Sequence, residues 1–126
     1  MNIDAIDHVV LTVRDIPASV AFYTRVLGMR EVIFGDDRRA LAFGSCKLNL
    51  HQAGNESEPK AAHPTPGAVD LCLLARTPVA EIERHLATLG VAIESGPIER
   101  TGALGPILSI YVRDPDGNLI ELSNPL

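Results

Sequence analysis

Five polar side chains in this sequence are of types that bind metal ions or small oxygenated molecules: His8, Asn49, His51, Asp70 and Glu121. Imidazole nitrogens and carboxylate oxygens around one cavity form a donor set suited to Zn²⁺, Ni²⁺, Mn²⁺ or Fe²⁺. In a strand, Asn49 and His51 would share one face, roughly 7 Å apart, because side chains alternate between faces. The set predicts a site for one divalent metal ion, provided that the fold brings its members together.

Glu121 follows the most distinctive turn of the chain, Asp114-Pro-Asp-Gly117. Proline presets φ at the first central position, the aspartates bond local N–H groups, and glycine can take a positive φ. Apolar residues with strand character lie on both sides, which predicts a β-hairpin with Glu121 on its return strand. A carboxylate in a buried strand is costly without a cation, a donor or water, so Glu121 needs such a partner.

The elements that must position these residues follow from apolar periodicity and turn residues. Asp15 with the following proline predicts a helix that ends at Gly28, and Pro78 opens a second helix that ends at Gly90. Strands are predicted at about 5–13, 29–34, 39–43, 47–52, 68–75, 91–94, 98–101, 107–113 and 118–123. The polar segment 53–66 is predicted to be a linker or an active-site loop.

The two halves of the chain repeat this order of elements. His8 lies over Asp70 at an offset of about 62 residues, and Asn49 corresponds to Glu121 in the late strands. We therefore expect an α+β fold with two βαβββ modules in tandem around a central groove. The modules span about 5–52 and about 67–124 of a single domain covering 1–126. A pseudo-twofold axis would bring the five candidate positions to that groove.

Each candidate also has a purely structural explanation. A lone histidine at the start of a strand, such as His8, is more often structural than a ligand. Glu121 could pair with Arg113, Asp70 could cap a turn, and His51 could lie at the surface. Their repeat-related placement favours a shared site over these separate explanations.

Composition excludes several classes of function. The 126 residues are 46% hydrophobic and 21% charged with a net charge of −5, as expected for one globular domain without a basic patch for nucleic acid. No apolar run is long enough to span a membrane, and no secretory leader is recognisable at the start. Cys46 and Cys72 fit reduced thiols better than a disulfide framework, so we predict a cytoplasmic protein.

Two blocks carry a family resemblance: IDHVVLTVRDIPASVAFYTRVLGM at 6–29 and DPDGNLIEL at 114–122. They resemble the vicinal oxygen chelate superfamily, which includes glyoxalase I, extradiol dioxygenases, and fosfomycin and bleomycin resistance proteins. KLNLHQ at 47–52, EPKAAHPTPG at 58–67 and RTGALGPILSIYVRDPDGNLIE at 100–121 are especially similar to the branch of glyoxalase domain-containing protein 5. The resemblance implies the glyoxalase fold, a homodimer, and metal ligands at His8 and Glu121.

The resemblance also marks two departures. The second module of such proteins usually opens with a histidine, and this chain has Asp70 there; glyoxalase I has a glutamate near Asn49. Because asparagine cannot act as a base, glyoxalase I chemistry proper is in doubt. His51 is the substitute ligand that we expect, and with His8 and Glu121 it makes a two-histidine, one-carboxylate set that favours Fe²⁺.

The leading prediction is a metal-dependent enzyme that binds a small substrate through two neighbouring oxygens, with Glu121 as both ligand and catalytic group. Both a glyoxalase-like lyase or isomerase and a ring-cleaving extradiol dioxygenase stay open. Tyr111 lies ten residues before Glu121, where thiol transferases of the superfamily have a substrate-contacting tyrosine. With Asn49 and Ser109 it is a predicted substrate contact. The alternatives are a metal-free binding protein of the bleomycin-resistance type and, less favoured, a scaffold with a vestigial site.

Overall fold

The computed structural model describes all residues, 1–126, and divides them into two compact units, Met1–Gly67 and Ala68–Leu126. We refer to them as the N-terminal unit and the C-terminal unit and describe each by itself. Neither of the two helices combines the length and the hydropathy that a membrane-spanning helix requires.

The N-terminal unit is a four-stranded sheet with one helix. Its elements in chain order are β1 (His8–Val13), α1 (Ile16–Arg25), β2 (Arg30–Phe34), β3 (Arg38–Phe43) and β4 (Cys46–Gln52). The strand order across the sheet is β1-β4-β3-β2. Strand β1 pairs parallel to β4, whereas the pairs β2–β3 and β3–β4 are antiparallel.

The C-terminal unit repeats the same topology. Its elements are β5 (Asp70–Leu74), α2 (Val79–Thr88), β6 (Ser95–Thr101), β7 (Pro106–Arg113) and β8 (Leu119–Pro125). The strand order is β5-β8-β7-β6, with β5 parallel to β8 and the other two pairs antiparallel. The predicted α+β fold with two tandem βαβββ modules is confirmed.

One predicted strand is wrong. Residues 91–94 are not in a strand, and β6 begins at Ser95 and runs through the predicted 98–101 segment to Thr101. The Val91 N–H donates to the Leu86 carbonyl at 3.0 Å, a hydrogen bond at the end of α2. The apolar residues at 91–93 that indicated a strand therefore belong to the connection that leaves α2.

Helix ends are fixed by residues from distant strands as well as by local signals. The predicted N-cap Asp15 accepts from the Ala18 N–H at 3.1 Å. In the C-terminal unit, Asn124 of β8 caps α2 by accepting from the Val79 N–H at 2.7 Å. Gly28 ends α1 with φ 71°, a left-handed conformation that satisfies terminal helix carbonyls.

Each sheet buries one face against its helix. In the N-terminal unit the buried apolar side chains include Leu11, Val13, Tyr23, Leu41 and Leu48, and in the C-terminal unit Val79, Leu86, Ile110, Val112 and Ile120. Because strand side chains alternate, the residues between them in β1, β4, β7 and β8 lie on the opposite face of each sheet. The candidate site residues occupy those opposite faces.

The Asp114–Gly117 turn aligns β8 with β5. One oxygen of Asp114 accepts from the N–H groups of Asp116 and Asn118, both at 2.9 Å, and Gly117 takes φ 86°. The Asn118 side-chain oxygen in turn accepts from the Val69 N–H at 2.9 Å, just before β5. The turn therefore sets the register in which Glu121 is paired.

Candidate functional site

Glu121 lies half-buried in the middle of β8, opposite Tyr111 of β7 and beside Cys72 of β5. Its Oε2 atom accepts a hydrogen bond from the Ser109 hydroxyl at 2.6 Å and lies 3.4 Å from the Ser123 hydroxyl. Both of these hydrogen bonds reach the same oxygen, so the carboxylate is oriented through Oε2.

Ser109 and Ser123, both fully buried, connect Glu121 to the thiol of Cys72. Their hydroxyl oxygens are 2.7 Å apart, and Ser123 Oγ lies 3.4 Å from Cys72 Sγ. The single Ser109 proton goes to Glu121, so the Ser109 oxygen must accept from Ser123, which in turn accepts from Cys72. Burial raises the pKa of the Cys72 thiol, which favours the protonated donor that this chain of hydrogen bonds requires.

A pocket of ≈ 650 Å³ opens over this face of the C-terminal unit. Its polar side chains include Tyr111, Glu121, Cys72 and Arg100, and much of the remaining wall is apolar. The Arg100 Nε–H donates to the Tyr111 hydroxyl at 3.1 Å. The pocket thus holds a carboxylate, a phenol and a cation within an apolar wall, which suits an amphipathic small molecule.

His8 begins β1 and is accessible to solvent. Its Nδ1 atom lies 2.8 Å from a carboxylate oxygen of Asp7. When Nδ1 donates its proton to Asp7, the Nε2 atom is left as a bare acceptor. Metal-ligating histidines commonly show this arrangement, in which a carboxylate fixes the tautomer and ring orientation.

Asn49 and His51 lie on one face of β4, next to Val10 and Thr12 of β1, and are each only 5% exposed. The Asn49 Oδ1 and His51 Nε2 atoms are buried without a hydrogen-bond partner, although buried polar atoms are nearly always paired. Burial lowers the pKa of His51, and the positive charge of Arg38 lowers it further. His51 is therefore held as the neutral imidazole that a metal ion or a donor group requires.

Asp70 opens β5 as an exposed residue opposite Leu119 of β8. Alternation places its side chain on the same sheet face as Cys72 and Glu121. No hydrogen bond or ion pair engages its carboxylate.

The family follows from comparison with known proteins. The sequence model described as the Glyoxalase/Bleomycin resistance protein/Dioxygenase superfamily matches residues 5–122. This chain belongs to that superfamily.

Relatives within the superfamily cover nearly the whole chain. Virulence protein STM3117 of Salmonella typhimurium is 54% identical over 123 residues, covering 98% of this chain and 85% of the relative. Glyoxalase domain-containing protein RDO1 of Mycosarcoma maydis is 53% identical over 124 residues, covering 98% of this chain and 70% of the relative. The crystal structure of STM3117 superposes with a TM-score of 0.99, 53% identity and full coverage of both chains.

More distant solved structures share the fold alone. A lactoylglutathione lyase from Agrobacterium tumefaciens is 24% identical with a TM-score of 0.75, covering 98% of this chain and 96% of its own. TnmS3, an antibiotic binding protein from Streptomyces sp., is 22% identical with a TM-score of 0.79, covering 100% of this chain and 99% of its own. This superfamily fold thus carries both an enzyme and a binding protein.

The donor types of the chain, imidazole nitrogen and carboxylate oxygen, fit a divalent metal ion of the kind that superfamily members often use. His8 and His51 belong to the N-terminal unit and Glu121 to the C-terminal unit, and His51 Nε2 is buried without a hydrogen-bond partner. Two imidazole nitrogens and one carboxylate oxygen form a set suited to first-row transition metals. Within the single chain, no group of three or more His, Cys, Asp or Glu side chains lies close enough to hold a metal ion.

The structure brings some predicted residues together and adds others. Ser109, Tyr111 and Glu121 share one face of the C-terminal unit, and Asn49 and His51 share one face of the N-terminal unit. Sequence reasoning missed Cys72, Ser123 and Arg100. Cys72 and Ser123 occupy alternate positions on the strands of Asp70 and Glu121, so strand alternation was a signal that would have found them.

Proposed function

We propose that this chain is a divalent-metal-dependent enzyme that acts on a small substrate through two neighbouring oxygens. The observation that carries the proposal is Glu121, a half-buried carboxylate at the pocket whose Oε2 atom accepts from the buried Ser109 hydroxyl. A carboxylate held by one oxygen is typical of a metal ligand with an outer support.

We propose His8, His51 and Glu121 as the ligands, with Asp70 as a further one. A divalent metal ion bound there, Fe, Mn, Zn or Ni, would act as a Lewis acid for the substrate oxygens. The neutral state of His51 and the Asp7-bound tautomer of His8 support this assignment. The two-histidine, one-carboxylate composition favours Fe²⁺.

The other polar side chains bind and orient the substrate. The Tyr111 hydroxyl accepts from Arg100, so its own proton is available to a substrate oxygen. The Asn49 amide offers a buried acceptor, Oδ1, that lacks a donor within the protein. Ser109 orients the Glu121 carboxylate through the hydrogen bond to Oε2.

Two reaction classes fit these residues: a glyoxalase-like lyase or isomerase, and an extradiol ring-cleaving dioxygenase. In the first class, the proton of the reacting carbon needs a base. Asn49 cannot supply one, so Glu121 is the group that we assign to proton transfer. In the second class the bound metal must be redox-active, and only iron or manganese of the four would serve.

Elemental analysis of untagged protein tests the metal site. We expect about one Fe, Mn, Zn or Ni per chain in the wild type and none in the His8→Ala, Glu121→Ala double variant. Iron would direct activity assays to catechols, and nickel, zinc or manganese to adducts of dicarbonyl compounds.

A His63→Ala, Glu83→Ala variant is the matched control, because both residues are of the same types and lie outside the proposed set. It should retain the metal of the wild type. Wild-type protein that stays metal-free after reconstitution with each of the four ions would contradict the proposal.

A metal-free binding protein of the bleomycin-resistance type is the second candidate. The large apolar share of the pocket wall favours it, since such a wall binds a ligand without chemistry. The ligand affinity of His8→Ala distinguishes the two functions. In a metal-free binding protein the substitution leaves the affinity for the ligand unchanged. In the metal-dependent enzyme the substitution weakens the affinity for a substrate that the metal holds.

We further propose a cytoplasmic protein that binds no nucleic acid or membrane, and a homodimer, the assembly that superfamily members often form. Both cysteines are free thiols, which fits a reducing compartment. We also propose that the chain is especially similar to glyoxalase domain-containing protein 5 within the superfamily. The mass of the protein in solution tests the homodimer.

A further inference from the structure

The pocket of the C-terminal unit contains a positively charged side chain, Arg100, that has no role in the proposed metal site. Arg100 extends from β6 into the pocket, and its guanidinium carbon lies 5.8 Å from the centre of the Tyr111 ring. Its Nε–H donates to the Tyr111 hydroxyl at 3.1 Å. One hydrogen bond and one cation–π contact therefore hold the guanidinium in place.

The strand register shows how far the two side chains reach to meet. Arg100 is paired with Ile107, whereas Tyr111 is paired with Ser95, and the Ile98–Ser109 pair lies between these two positions. Arg100 and Tyr111 therefore extend toward each other along the strands, over the fully buried Ser109. The contact with Tyr111 holds the exposed guanidinium at the pocket.

Two arginines of the chain are paired with carboxylates, and Arg100 is not. Arg39 is paired with Glu31 and Asp37, and Arg113 with Glu94. No carboxylate lies within ion-pair distance of Arg100. Its terminal N–H groups remain available, as does the Tyr111 O–H, because that oxygen is the acceptor for Nε.

The rest of the pocket wall is apolar and determines which kind of ligand would suit the pocket besides a group that pairs with Arg100. Its larger apolar members are Leu74, Leu104, Pro106, Ile107, Pro125 and Leu126. A neutral polar ligand would leave the guanidinium uncompensated, and a purely apolar ligand would bury it without a partner, which is costly.

We propose that this pocket binds a small organic anion, a carboxylate or a phosphonate with an apolar body, whose charged group is held by Arg100 and Tyr111. A planar guanidinium presents paired donors that match the oxygens of either group. The apolar body would lie against the wall, close to Glu121, which is directly opposite Tyr111. The inference rests on the proposed function only in taking this pocket as the substrate site, and it requires no metal ion.

Binding of three matched probes tests the inference: benzoate, phenylphosphonate and neutral benzamide. The titrations use the full chain with Glu121→Gln and follow backbone amide signals by NMR. This variant lacks a proposed metal ligand and the negative charge that opposes an anion. We expect at least one anion to bind about tenfold more tightly than benzamide, and Arg100→Gln in the same background to abolish that preference.

Arg84→Gln is the control, because it removes the same charge from an exposed position on α2 outside the pocket. It should leave the preference intact. Wild-type protein in a chelator provides a second measurement should the Glu121→Gln chain not fold. Equal binding of all three probes, or a preference that survives Arg100→Gln, would overturn the inference. Neither outcome depends on the metal, so failure here is distinguishable from failure of the metal site.

Discussion

Asn49 and His51 are buried polar side chains of β4, and one acceptor atom of each has no hydrogen-bond partner in the protein. The alternation in KLNLHQ placed Asn49 and His51 together, and both lie in β4. Their burial without hydrogen-bond partners is set by packing, which no local pattern encodes. Arg100 was missed because its place depends on a register shift between Ser95 and Ile98.

Gly96 explains that register shift. It takes φ 95°, and a Cβ atom at this position would collide with the Ser109 carbonyl oxygen. Only glycine allows β6 to lie this close to β7 at the shift. The residues after it, Arg100 among them, are thereby turned toward the pocket in a way that the apolar pattern does not show.

His51 makes the stability of the metal-free protein depend on pH. Its folded-state pKa is lowered by burial and by Arg38, so the unfolded chain binds more protons once the pH falls below about 6.5. Its contribution is fully present above that pH and is lost as the pH falls further. Between about pH 7.5 and about pH 5.5, we expect the free energy of unfolding to fall more in the wild type than in His51→Gln.

Urea denaturation with a chelator present measures this difference, and His63→Gln provides the control. His63 is an exposed loop residue, so its substitution should leave the pH profile of the wild type unchanged. Parallel pH profiles for the wild type and His51→Gln would show that His51 is not desolvated in the folded state.

At the scale of elements, each helix is tied to the last strand of its own unit by a side-chain amide. Gln52 at the end of β4 accepts from the Ile16 N–H at 3.3 Å and donates to the Arg14 carbonyl at 2.5 Å. Asn124 in β8 accepts from Val79 N–H and donates to the carbonyls of Ala75 and Thr77 at 3.0 and 2.9 Å. The sequence predicted where both helices begin, but these long-range caps have no local signature.

We expect Asn124→Ala to lower the free energy of unfolding by about 1–3 kcal/mol, because it leaves the α2 N-terminus and two carbonyls without partners. Denaturant unfolding followed by circular dichroism measures this. Asn55→Ala is the comparison, since Asn55 is exposed and its side chain makes no hydrogen bond. Equal stability of the two variants would mean that water replaces the cap at no cost.

The fold of the whole molecule was predictable because the two halves of the chain repeat the same order of elements. Each module repeats the order of strand, capped helix and three strands, so an ambiguous element in one half was supported by its counterpart in the other. The misplaced strand at 91–94 lies where that support failed, in the connection after α2. The pairing of the first strand with the last in each sheet is non-local, and no local pattern in the sequence encodes it.

Large apolar side chains remain exposed at the pocket of the C-terminal unit, namely Leu74, Leu104 and Leu126. A second copy that covers them would remove this surface from water. We therefore predict a mass near twice the 13.5 kDa of one chain by light scattering, and a shift toward one chain in Leu104→Lys. Ile33→Lys, at an exposed apolar position of β2, should not shift it. A monomeric wild type would contradict this prediction.

In each sheet the first strand of the module pairs with the last one, and this pairing has a consequence for how such a chain can arise. No strand pairing joins residues before Gly67 to residues after it, so a recombination break in the segment 53–66 would leave every ladder intact. A break inside either unit would separate β1 from β4, or β5 from β8. The smallest heritable piece that keeps its pairings is therefore one whole module, which can be copied, fused or exchanged without redesign of its sheet.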